Sequence, residues 1–180
     1  MKTIIGLGNP GKEYTGTRHN VGRDLALRIG TYFELSDFEE NKKYLGLLAK
    51  GEIEKEKVTI LLPDTFMNKS GKAIAALAPK AKGLIVLQDD TDIPLGSVKI
   101  AFGRNSGGHK GIESIMRTLK TKDFWRIRIG VQKKKRIDAM DLVLKKFSPE
   151  EQKIIKKIEK RILAMFEASL DLQVTTFNVL

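Results

Sequence analysis

The chain contains no cysteine, so it can hold neither disulfides nor thiolate metal sites. It has only two histidines, His19 and His109, too few for a multi-histidine zinc site. No window approaches the roughly 18 consecutive apolar residues that cross a bilayer. A basic Lys2 opens the chain, but glycines and Pro10 break the apolar run that follows, so no signal peptide is expected. Internal repeats, low-complexity stretches and long linkers are also missing. These absences predict a cytoplasmic protein without metal; a monomer that needs no cofactor is expected.

What is present fits one domain spanning residues 1–180, long enough for a substantial core. Acidic residues are scarce in one half. Residues 1–100 carry 15 Lys and Arg against 13 Asp and Glu, whereas residues 101–180 carry 18 against 9. A net charge of +11 gathered this way points to a polyanion partner, nucleic acid before membrane. No exposed Trp, Phe or Leu face accompanies the basic segments, as a membrane surface would require.

Short apolar runs at 2–7, 44–51, 58–62, 84–87, 98–102 and 125–131 read as strands, with 84–87 central. Helical spacing marks 21–33, 70–77 and 111–119. Glu52 to Lys57 separates the second and third runs as a hairpin turn, and Pro63 closes that hairpin. Ser148-Pro149-Glu150-Glu151 carries an N-cap, a proline at the first helical position and an acid three residues after the cap, opening a basic helix over about 148–170. Alternating strands and helices with one hairpin predict an α/β fold built on a mixed sheet.

Gly6-Leu7-Gly8-Asn9-Pro10-Gly11 matches the dinucleotide fingerprint G-x-G-x-x-G. Helical spacing begins only near Val21, too late to meet a pyrophosphate, so these glycines instead shape a loop that presents Asn9. Four polar clusters fall at expected strand ends, and open α/β sheets place their sites at the carboxyl edge. They contain Asn9, Tyr14, His19 and Asn20; Pro63 to Gly71; Gln88 to Gly96; and Arg104 to Gly111. A carboxylate such as Asp92 on one nitrogen of His19 would leave the other nitrogen as a base. With no G-x-S-x-G and no cysteine, the natural nucleophile is water. Asparagine side-chain amides can donate to a carbonyl oxygen that gains charge. The set suits hydrolysis of an activated acyl group.

The segments GLGNPGKEYTGTRHNVG, PDTFMNKSG, DDTDIPLG, SGGHKGIES and WRIRIGV, in this order, resemble bacterial peptidyl-tRNA hydrolases over most of residues 3–131. The resemblance implies a single α/β domain with a twisted mixed sheet flanked by helices. It implies hydrolysis of the ester joining peptide to tRNA, and so tRNA recycling during ribosome rescue. His19 would be the base and Asp92 its partner. Asn9 would read the peptide bond next to the ester, and Asn68 would position substrate. Tyr14 and Phe66 would line the pocket, with Met67 packed beneath it. Arg126 and Arg128 match a basic tRNA-binding position. Two residues depart from the pattern. Lys110 replaces an asparagine that contacts substrate, and is expected to reach tRNA phosphate or ribose. Ala101 stands where a phosphate-clamping lysine is common, with Lys99 or Arg104 as substitutes. His109, between glycines, is expected to order its loop. The alternative is a catalytically impaired RNA-binding protein on the same fold.

Overall fold

The computed structural model describes residues 1–77 and 83–180. Four strands form its parallel centre: β1 (Lys2–Gly6), β4 (Glu56–Pro63), β5 (Leu84–Pro94) and β7 (Trp125–Gln132). The antiparallel strands β2 (Glu39–Asn41) and β3 (Gly46–Ile53) extend it on one side, and β6 (Ser97–Phe102) and β8 (Thr175–Asn178) on the other. The order is β2-β3-β4-β1-β5-β7-β6-β8, so the apolar run at 84–87 is central, as expected. The turn between β3 and β4 is only Glu54-Lys55, with φ of 47° and 64°, and most of Glu52 to Lys57 is strand. Two consecutive left-handed residues are what a type I′ hairpin demands.

Both faces of the sheet are covered, which is why the central strands are apolar throughout rather than alternating. The pleat sends Ile4 to one face and Ile5 to the other. Ile4 joins Leu25, Ile29, Leu87, Ile129, Ile158 and Phe166 beneath α1 (Val21–Tyr32) and α5 (Pro149–Ala168). Ile5 joins Leu7, Val86, Ile112, Ile115 and Phe124 beneath α2 (Ser70–Leu77) and α3 (Lys110–Leu119). The capping box of α5 forms as its sequence predicts. The Ser148 hydroxyl accepts from the Glu151 N–H, and the Glu151 carboxylate accepts from the Ser148 N–H.

Three features depart from expectation. The edge strands β2 and β8 and the short helix α4 (Ala139–Val143) carry too few periodic residues to be read from sequence. The stretch expected as a loop from Gln88 to Gly96 is strand as far as Pro94, with its pairing to β7 shifted between Asp90 and Pro94. Finally, β6 is antiparallel to β7, so the Arg104 to Gly111 cluster leaves the sheet at the edge opposite the other three. The loop returns along β7. Gly107 and Gly108, with φ of 64° and 82°, supply the left-handed backbone for its last turn into His109.

Candidate active site

His19 lies in a single 3-10 turn, Arg18–Asn20, that feeds directly into α1. Gly22 lets α1 approach β5 closely, since a Cβ there would lie 2.2 Å from the Leu87 carbonyl oxygen. The turn therefore rests on the carboxyl half of β5. His19 Nδ1 stands 2.8 Å from Asp89 Oδ1, and His109 Nε2 stands 2.9 Å from the same oxygen. His109 is the N-cap of α3, and its Nδ1 accepts the backbone N–H groups of Gly111 and Ile112. A nitrogen that accepts carries no proton, so Nε2–H of His109 donates to Asp89. His19 donates to Asp89 through Nδ1–H, which leaves Nε2 as its basic nitrogen.

The electrostatics agree with these roles. Burial of Asp89 favours its neutral form, but the two imidazoles, His109 and then His19, hold its carboxyl well below the usual carboxylate range. Burial pulls the His19 pKa down, and the charge and hydrogen bond of Asp89 together outweigh it, so the net shift is upward. His19, Asp89 and His109 also place ligand-capable atoms within 4.8 Å of one another. Both ring nitrogens that face Asp89 sit at hydrogen-bond distance, so a metal would have to replace two shared protons. The donor set fits a hydrogen-bonded array better than a coordination site.

Asp92, expected as the partner of His19, is not. It lies within the shifted stretch of β5, is exposed, and pairs with Arg136 at 2.7 Å. Asp89 follows Leu87 on the same strand face, toward α1, whereas Asp92 has left the regular pleat. Treating the strand as ending at Leu87 conceals this parity. The array does unite His19 with His109, whose expected loop-ordering role appears here as the α3 cap and the second donor to Asp89.

Three hydrogen bonds hold Asn9, two at its backbone and one at its side-chain amide. Asn9 and Asn20 exchange two hydrogen bonds, Asn9 N–H to Asn20 Oδ1 and Asn20 Nδ2 to the Asn9 carbonyl, each 2.9 Å. The Met67 N–H donates to Asn9 Oδ1. Nδ2 of Asn9 is therefore the donor left for a ligand. Asn20 falls in this cluster in the sequence, but only its pairing distinguishes it as the residue that holds Asn9. Tyr14 meets Phe66 edge to face, with ring centroids 6.4 Å apart. Phe66 is 54% exposed, and Met67 is buried as expected. Asn68 is exposed beside them, and its amide makes no hydrogen bond among the described residues.

On the other side of His19 lies a cleft of about 680 Å³, whose lining includes Asp89, His109, Lys110, Gln132 and Met140. Lys110 projects at its rim, 3.3 Å from Glu113 and largely exposed. The expected phosphate-binding arginines separate. Arg128 pairs with Asp90 at 2.7 Å and keeps part of its surface. Arg126 is only 2% exposed and donates to the Asn105 carbonyl, which fastens the returning loop to β7. Burial, the Arg128 charge and the weaker pull of Asp90 leave the Arg126 pKa lowered to about 10. The expectation that Arg126 touches tRNA is corrected: it is enclosed by the loop it secures.

A parallel-centred sheet whose carboxyl edge presents a carboxylate-held imidazole and open amides places the chain among single-domain α/β hydrolytic enzymes. The family model for peptidyl-tRNA hydrolase matches residues 3–178, and the chain belongs to that family. It is 37% identical to a peptidyl-tRNA hydrolase of Dehalococcoides mccartyi, over 99% of this chain and all of the relative. It is 40% identical to that of Thermodesulfovibrio yellowstonii, over 90% of this chain and 89% of the relative. The crystal structure of peptidyl-tRNA hydrolase from Acinetobacter baumannii superposes with a TM-score of 0.86 at 28% identity, covering 93% of this chain and 87% of that one.

Proposed function

We propose that the chain hydrolyses the ester between a peptide and the terminal ribose of tRNA, with His19 as general base. The observation that carries this reading is the acid–imidazole array: Asp89 orients Nδ1–H of His19 and leaves Nε2 free to take a proton from water. The hydroxide so formed attacks the ester carbonyl. Amide donors from Asn9 and Asn68 stabilise the oxyanion as it develops. The imidazolium then gives its proton to the departing ribose oxygen, releasing free tRNA and the peptide acid, which loses its proton to solvent as the carboxylate.

Tyr14 and Phe66 offer flat apolar surface on the Asn9 side of His19, while Lys110 and the exposed run Lys133-Lys134-Lys135-Arg136 lie on the cleft side. This division suits a neutral peptide on one hand and a polyanion on the other. A binding-only role gains no support here, because a binder needs no carboxylate-held imidazole with one nitrogen left open. Release of tRNA from N-blocked aminoacyl-tRNA tests the assignment. His19→Ala is expected to cost about 10²–10⁴ in rate. Affinity for tRNA should change by no more than a few-fold, since one neutral imidazole adds little to phosphate binding. Near-normal turnover in this variant would overturn the reading.

A further inference from the structure

Arg18, immediately before His19, is wholly buried. A guanidinium is costly to bury unless its donors are met. Nη1 of Arg18 donates to the Val131 carbonyl at 3.0 Å and Nη2 donates to the Glu151 carboxylate, while Nε has no hydrogen-bond partner among the described residues. The guanidinium carbon lies 4.7 Å from the centroid of the Phe147 ring. The backbone joins the same neighbours: the Arg18 N–H donates to the Lys145 carbonyl, and Thr17 bridges to Lys146. These partners come from the end of β7, the segment after α4 and the first turn of α5. Together they fasten the turn that carries His19 to a part of the chain remote in sequence.

A buried ion pair is a poor source of net stability, because well-packed apolar side chains often do as well. It does fix position, since a displaced guanidinium leaves a buried charge uncompensated. Position is what His19 needs, because its Nδ1 must meet an oxygen held on β5. We propose that Arg18 and Glu151 are positioning residues for the hydrolytic reaction, their buried ion pair locking the Arg18–Asn20 turn against α5 so that His19 stays on Asp89. The proposal rests on the reading of His19 as the base. Glu151 is suited to the task by the capping box, which holds its carboxylate at the start of α5. Burial alone would raise the Glu151 pKa. Hydrogen bonds from Arg18 and the Ser148 backbone, with the charges of Arg18 and Lys133, lower it overall and keep the carboxylate ionised.

The test compares Glu151→Ala, Glu151→Gln and Ser148→Ala in the full chain. Glu151→Ala should lower kcat about tenfold or more, as misplacement of a catalytic group does. The lower limb of its kcat–pH profile, and the His19 imidazole pKa read by NMR, should both move to lower pH as the hold of Asp89 loosens. With two histidines in the chain, the resonance is assigned by one substitution. Glu151→Gln keeps the cap and the side-chain length but leaves the buried guanidinium without its counter-charge, so it should show the same shift to a smaller degree. Ser148→Ala weakens the same helix terminus without touching Arg18, and should leave both the limb and kcat in place. If Glu151→Ala does not fold, Glu151→Asp replaces it: the charge remains, its reach is one methylene shorter, and the same shift is expected. An unmoved limb and imidazole pKa would overturn the proposal. An active His19→Ala would instead overturn the assignment of the base, whereas an inactive one beside an unmoved Glu151 variant would remove the positioning role alone.

Discussion

Asp89 accepts two hydrogen bonds through one oxygen, and its ionised form serves both imidazoles. Asp89→Asn removes the charge that lifts the His19 pKa. The general base works when deprotonated, so the lower limb of the pH–rate profile should move to lower pH while kcat falls roughly ten- to a thousandfold. Asp92→Asn, which loses only a surface pair with Arg136, should leave both unchanged. A pH–rate series on the two variants decides between the carboxylates. The same charge enters acid stability. A carboxylate held below its ordinary value stabilises the fold fully above the unfolded value near pH 3.9, and that contribution is lost as the pH falls toward the folded one. The raised His19 pKa acts oppositely: its contribution is complete below the unfolded imidazole value of about 6.5 and is lost as the pH rises through the folded value. His19, Asn9 and their cluster were legible in the sequence because polar residues at a strand exit are conspicuous. Asp89 was not, because among three nearby aspartates only strand parity separates it, and parity needs the end of the strand. Arg126 misled for a related reason. An arginine in a strand reads as exposed until the loop that covers it is placed.

At the scale of elements, α1 packs against α5 across a pair of acids. The Asp24 carboxyl faces the Gly16 backbone, Arg23 and Glu159. Burial, only partly offset by Gly16 and Arg23, pushes its pKa up to about 6. A carboxyl whose folded value is raised favours the fold while neutral, and that advantage is lost as the pH rises above its unfolded value near 3.9. At pH 8 the charged group opposes folding. Asp24→Asn keeps a hydrogen-bonding amide and removes the charge, so it should stabilise the protein by about 1–3 kcal/mol at pH 8 and by little at pH 4. Urea denaturation at the two pH values measures this, and equal shifts at both would show that charge is not the cause. Helices α1, α2, α3 and α5 were legible to within a few residues, because α5 announces its cap and α1 its four-residue apolar spacing, whereas the short α4 was not. The path from β6 to α3 was not. Its glycines and polar residues specify turns but not direction, and the antiparallel pairing of β6 that reverses the path is a tertiary fact.

Across the whole molecule, positive charge is concentrated where the polyanion is expected. Lys133, Lys134 and Lys135 are exposed where β7 ends, at the edge of the cleft that holds His19. Lys153, Lys156, Lys157 and Lys160 are exposed along α5, whose first turn is tied to the His19 turn through Arg18. The basic balance of residues 101–180, visible in the sequence, is therefore carried by exposed lysines on two segments, one of them tied to the His19 turn. Removing one lysine–phosphate interaction should reduce the slope of log affinity against log salt by roughly 0.7–0.9. Replacing Lys133, Lys134 and Lys135 together by alanine should lower the slope for tRNA binding by as much as about 2–3 and weaken affinity at low salt. Arg126→Gln carries the opposite expectation. Its guanidinium lies behind the Asn105 loop, so the salt slope should hold, while losing a hydrogen bond from a buried charged group should cost about 1.5–3 kcal/mol of stability. Binding titrations over a salt series, run beside denaturation curves, separate the two kinds of residue. A slope that flattens in Arg126→Gln with stability intact would mean that the loop opens and gives this arginine to the tRNA.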